Sequence, residues 1–153
     1  MKIRKIEKRC STALLCLATL LLCGSMSSLS AQSKPAVFQI FEKYGKQKGI
    51  TMLEISEELM TEYRIKQFKS IIFEDGTRAL PEIRRCIELD KQEAKKMKEA
   101  TTDGLVVSGY YRLKTADTAM NRYLIFKVGK SNKVTLLYIE GRLTPEELVE
   151  LLK

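Results

Sequence analysis

The sequence of 153 residues contains no histidine and no tryptophan. The first absence removes Ser-His-Asp and Cys-His catalysis, histidine-ligated zinc and histidine-based pH switching together. Of four cysteines, Cys10, Cys16 and Cys23 fall near the start, and Cys86 stands alone in the remainder. One thiol forms neither an intramolecular disulfide nor a cysteine-only metal site, so no metal and no cofactor is expected. The glycines are scattered, with no phosphate-cradling loop and no dinucleotide fingerprint. Long apolar runs are lacking too. The main one, Ala13 to Cys23, lies between Ser11-Thr12 and Gly24-Ser25 and is short of the roughly 20 residues that span a bilayer.

What is abundant is positive charge, a formal +8. Half of that excess comes from Lys2, Arg4, Lys5, Lys8 and Arg9 against Glu7, and the remaining chain has an ordinary solvated surface rather than a nucleic-acid footprint. A basic start, a short apolar core and the small, polar stretch Gly24 to Ser33 follow the order of a secretory signal peptide. Residues 1–31 are expected to be that leader, with cleavage before Gln32, residues 32–35 a flexible lead-in, and 36–153 one domain. Lipidation is disfavoured because Cys16 follows Leu15 and Cys23 follows Leu22, where a small residue is wanted. The expected location is exported, periplasmic or extracellular, with outer-membrane association left open and no transmembrane anchor after cleavage.

Val37, Ile40, Phe41 and Tyr44 recur at helical spacing. Ile50 to Ile55 reads as a strand, and Ser56 is placed to cap a second helix that buries Leu59, Met60 and Tyr63. Phe68 to Phe73 reads as another strand ending at Asp75-Gly76. Pro81 opens what the stripe Leu80, Ile83, Ile87, Ala94 and Met97 predicts to be the longest helix, running to Gly104. From Leu105 the period becomes two, with Leu105, Val107, Tyr111 and Leu113 on one side and Ser108, Tyr110, Arg112 and Lys114 on the other. Asn121 to Val128 and Val134 to Ile139 complete a three-strand meander. Leu143-Thr144-Pro145-Glu146-Glu147-Leu148 combines a cap, a first-turn proline, a capping-box glutamate and a hydrophobic staple. Leu148, Leu151 and Leu152 are expected to dock that last helix. The predicted fold is α+β, a largely antiparallel sheet of about five strands with three or four helices mainly on one face.

Phe41-Glu42-Lys43-Tyr44-Gly45 with Gly49-Ile50-Thr51-Met52, Asn121-Arg122-Tyr123-Leu124-Ile125-Phe126-Lys127-Val128, and Tyr138-Ile139-Glu140-Gly141 together resemble a family of small secreted proteins of Bacteroides-type bacteria, catalogued as a domain of unknown function. The resemblance covers most of residues 36 to 153. It implies export in a Gram-negative envelope and carries no catalytic or binding residue across.

Three features bear on chemistry. Cys86 beside Arg84 and Arg85 has a cationic neighbourhood but no base, so a buried structural thiol is the better reading. Asp90 falls inside the apolar stripe, where a carboxylate is either desolvated or paired, which makes it a weak catalytic candidate and a better structural one. Lys95-Lys96-Met97-Lys98 is read as a solvated helix face. The meander offers the better surface: Tyr110, Arg112, Tyr123 and Lys127 share the less apolar side, and tyrosine and arginine are common in recognition. The leading expectation is therefore a non-enzymatic binding module for a protein, peptide or glycan partner, not nucleic acid. The alternatives are a carboxylate-dependent glycan hydrolase built on Asp90 and a glutamate from another element and a structural or regulatory envelope accessory.

Overall fold

In the computed structural model, which describes residues 34–55, 57–61 and 63–152, the alternating segments of the C-terminal half become the centre of a six-stranded sheet. The chain runs α1 (Phe38–Tyr44), β1 (Ile50–Ile55), a single turn α2 (Glu57–Met60), β2 (Ile65–Phe73), α3 (Leu80–Asp90), β3 (Lys95–Thr102), β4 (Leu105–Leu113), β5 (Asn121–Val128), β6 (Val134–Gly141) and α4 (Pro145–Leu151). The strand order is β1-β2-β6-β5-β4-β3, and each neighbouring pair is antiparallel. The expected leader and the Ser56 cap lie outside the described residues, which all belong to one unit, Gln32–Lys153.

Strand period places alternate side chains on opposite faces. On the first face Ile71, Phe73, Tyr111, Leu124, Phe126 and Leu136 join Phe38, Ile40 and Phe41 of α1 and Ile83, Cys86 and Ile87 of α3 in one buried cluster. α1 has no side-chain cap of its own. Its first N–H groups, of Phe38, Gln39 and Ile40, bond back to the Pro35, Ala36 and Val37 carbonyls, and just ahead of the helix the N–H groups of Ala36 and Val37 donate to the two oxygens of Asp90 on α3, at 2.6 and 2.9 Å. The sequence-expected carboxylate in an apolar stripe thus ties the start of one helix to the end of another.

The expected long helix is corrected. α3 stops at Asp90, a 3-10 turn follows over Lys91–Glu93, and residues 95–102 form the sixth strand, paired with β4. The reason lies in Asp103-Gly104, where both residues have positive φ (51° and 73°), the backbone of a tight hairpin whose twist matches that of its strands. Gly104 therefore turns a hairpin rather than ending a helix. Lys95-Lys96-Met97-Lys98 is accordingly an edge strand, not a helix face.

The second expected helix is only the turn α2, in which Met60 is buried while Tyr63, beyond it, is 51% exposed. Helices occupy both faces rather than mainly one. Leu148 of α4 packs with Met60, Leu143, Tyr123 and Ile139 in a second buried cluster on the opposite face. The capping box at Thr144 and Glu147 forms as its residues predict. Leu151 and Leu152, however, remain partly exposed.

Candidate functional site

The pairing register resolves the second face into three rows that cross all six strands. Ile55, Phe68, Ile139, Tyr123, Arg112 and Lys95 make the first, and α4 covers its middle through Leu148. Leu53, Ser70, Leu137, Ile125, Tyr110 and Lys98 make the second. Thr51, Ile72, Thr135, Lys127, Ser108 and Ala100 make the third. No described helix beyond α4 and the turn α2 contributes to the cluster on this face. Leu53 is 50% exposed, and Ile125 and Tyr110 are partly exposed.

Of the four residues anticipated for binding, three meet here in accessible positions. Arg112 and Lys127 are exposed and Tyr110 is half-buried between them, its hydroxyl held above its ordinary pKa by burial. Tyr123 shares the face but not the surface. It is fully buried, and its hydroxyl donates to the Leu143 carbonyl at 2.8 Å, so it seats the loop leading into α4. Alternation placed Tyr123 on the correct side without showing that α4 would land on it.

The charge that the strands place on this face is of one sign, while α4 above it bears Glu146, Glu147 and Glu150, with Glu147 tied to Arg64 and to the Thr144 N–H. The charged side chains its strands contribute are Lys95 and Lys98 of β3, Arg112 of β4 and Lys127 of β5, all exposed, and none is paired with a described carboxylate. Several cations elsewhere are paired: Lys43 meets Glu82 at 2.6 Å, Lys91 meets Glu88 at 2.6 Å, and Lys133 meets Glu74 at 2.9 Å. Unpaired cations gathered beside apolar side chains raise the local potential toward an anion.

Apart from Arg84 Nε, which is buried without a partner although the same guanidinium donates to the Val106 carbonyl at 3.3 Å, the buried polar side chains among the described residues are committed to the fold. Glu140 receives Tyr138 Oη at 2.6 Å and Arg122 Nε at 3.1 Å, with Lys66 Nζ 3.7 Å away. Burial pushes the Tyr138 hydroxyl pKa far up, and its bond to Glu140 adds to the rise. Burial also raises the carboxyl of Asp90, against the two N–H groups that favour its ionised form. It raises the Cys86 thiol as well, leaving it a packed hydrophobe as expected. Glu99 is held below the usual carboxylate range by the Tyr111 hydroxyl at 2.5 Å.

A separate groove of about 320 Å³ lies beside α1, with Phe38, Phe41 and Met52 on its walls. Its charged walls are largely paired across it, Lys34 with Glu42 and Lys69 with Glu54. Among the described residues no three His, Cys, Asp or Glu side chains are grouped to hold a metal ion.

None of the curated proteins matches the chain. A solved structure of PA94, a Pseudomonas aeruginosa protein of unknown function described as a putative regulator, is similar at 14% identity over 69% of this chain and 75% of its own. Its TM-score of 0.32 is too low to carry an argument. The family model that matches covers residues 24–152, well over half of the sequence, and the chain belongs to that family, a family of unknown function, DUF6108.

Proposed function

We propose that the protein is a non-enzymatic binding module, exported to the bacterial envelope or beyond, whose recognition surface is the open part of the second sheet face. The observation that carries this reading is the one-sided cover. α4 protects the row containing Tyr123 and Ile139, while Tyr110, Ile125, Arg112 and Lys127 stay accessible together. Aromatic, aliphatic and cationic side chains held on a rigid sheet are suited to recognition. The leader-like start and the resemblance to small secreted proteins of Bacteroides-type bacteria support the exported location.

The hydrolase alternative gains nothing from the geometry. Asp90 is engaged by two backbone N–H groups and Glu140 by Tyr138 and Arg122, so neither carboxylate is poised over a cleft as acid or base.

A photoreactive amino acid placed at position 110, 112 or 127 in the producing cell tests the surface. We expect a discrete adduct from these positions and none from Arg85 or Glu88 of α3 on the other side of the sheet. Equal labelling from both sides, or none from 110, 112 and 127, would refute the assignment. Fractionation should place the protein outside the cytoplasm, with a mature N-terminus between Ala31 and Ser33. A cytoplasmic protein with its N-terminal segment intact would remove the export half of the proposal.

A further inference from the structure

The two faces of the sheet differ by one layer element. The first carries two helices, α1 and α3. The second carries α4 over one row, plus the turn α2. From this difference and the charge beside the partly covered second row, we infer that the row Leu53, Ser70, Leu137, Ile125, Tyr110 and Lys98 seats an acidic amphipathic helix from a partner protein, lying next to α4. The inference rests on the reading of this face as a recognition surface and specifies what it recognises.

Dimensions support a helix. The row crosses five interstrand gaps of about 4.8 Å, or about 24 Å in all, the length of roughly 16 helical residues. Same-face residues along a strand are about 7 Å apart, and packed helices lie about 8–10 Å apart. A helix about 10 Å across laid along the second row therefore reaches the third. Its floor is apolar: Leu137 is 8% exposed, Ile125 and Tyr110 are partly exposed, and Leu53 stands open at the β1 end. Leu151 and Leu152 lie three and four residues beyond buried Leu148 and are still partly exposed, so the α4 face that bears Leu148 retains uncovered apolar surface.

Charge supplies the second half of the description. Lys98, Lys127, Arg112 and Lys95 all sit on β3, β4 and β5, while the β1, β2 and β6 positions of the second and third rows are Leu53, Ser70, Leu137, Thr51, Ile72 and Thr135, without charge. The complement is a helix with an apolar stripe and carboxylates concentrated toward one end. A helix C-terminus, negative by its dipole, suits the same end. A flat anionic membrane would meet the exposed lysines but not Leu137, recessed beside α4.

The test uses the full chain and a synthetic 16-residue amphipathic helix with leucines on one face and glutamates weighted to its C-terminal half. Three comparison probes are the same peptide with lysine for glutamate, a scrambled acidic peptide, and phosphatidylglycerol vesicles. Fluorescence anisotropy should show the acidic helix binding at least tenfold more tightly than the lysine and scrambled versions, and weakening as salt rises. Ile125→Glu should weaken it at least tenfold. Lys98→Glu with Lys127→Glu should do the same, and should also tighten binding of the lysine peptide, a reversal that mere unfolding cannot produce. No binding of the acidic helix, equal binding of both charge versions, insensitivity to these substitutions, or binding to vesicles alone would each overturn the inference. The two readings fail separately. A crosslink from position 110 to a partner segment that is neither helical nor acidic would sink this one and leave the binding surface standing.

Discussion

Ile125 and Phe126 are neighbours on β5 with opposite situations. Phe126 is fully buried under the helices of the first face, while Ile125 lies on the half-covered second face. The same contrast recurs one turn of the pleat away. Arg122 is tied to buried Glu140 on the first face, whereas Lys127 projects from the second with no ion pair among the described residues. One strand thus divides its residues between holding the fold together and presenting a surface, and the division follows where the helices land rather than residue type.

Four measurements would break or sharpen this contrast. Phe126→Ala should cost about 4 kcal/mol by urea unfolding, against about 1 kcal/mol for Ile125→Ala. Comparable losses would mean that the second face is as tightly packed as the first. Arg122→Ala should cost about 3 kcal/mol by leaving Glu140 buried with fewer donors. Lys127→Ala, with no partner to strand, should fall within about 0.5 kcal/mol of the parent. Thr144→Ala should remove about 1 kcal/mol by opening the capping box of α4, and near-ultraviolet dichroism should report a looser Tyr123. An unchanged melting temperature would show that packing of Leu148 alone anchors the helix.

The smallest effects concern pH. The pKa values of Glu82 and Glu99 are lowered in the folded chain, chiefly by bonds from Lys43 and Tyr111. The stability they add is present above their unfolded value of about 4.5 and is lost as pH falls through the lowered folded values. Asp90 is raised by burial and works in the opposite sense: its contribution is full below about 3.8 and is lost as pH rises through its raised folded value. Urea midpoints between pH 6 and pH 3 should therefore fall less steeply in Glu99→Gln and more steeply in Asp90→Asn. Parallel curves for all three proteins would contradict these assignments.

Much of the central sheet could be read from the chain because each segment had both a period and a punctuation mark. β4 alternates, β5 and β6 are joined across Gly129 and the residues up to Lys133, and α4 begins with a capping box. β3 had neither an apolar alternation nor strand formers at its start. Lys95, Lys96, Met97, Lys98 and Glu99 are good helix residues, and Ala94 and Met97 extended the stripe of α3 by coincidence. The usable signal was Thr101-Thr102 before Asp103-Gly104, a hairpin dipeptide flanked by β-branched residues. For the surface, period two put Tyr110, Arg112, Tyr123 and Lys127 on one side. The landing site of α4, which separates Tyr123 from the others, depends on the turn through Gly141, where an added Cβ would come 2.6 Å from the Arg64 carbonyl oxygen. No local periodicity records such a contact.

The two borders of the sheet have a further consequence for assembly. β3 ends the sheet with Lys95, Lys96 and Lys98, so a copy approaching strand to strand would bring like charges together, a common guard against fibril growth. β1, Ile50-Thr51-Met52-Leu53-Glu54-Ile55, ends the other side with one carboxylate and no lysine or proline. A sheet guarded at one margin and plain at the other would admit strand addition at one margin alone. Strand-to-strand joining of two such molecules would use up the plain margins and leave lysines at both outer ends, so that growth would halt at a pair.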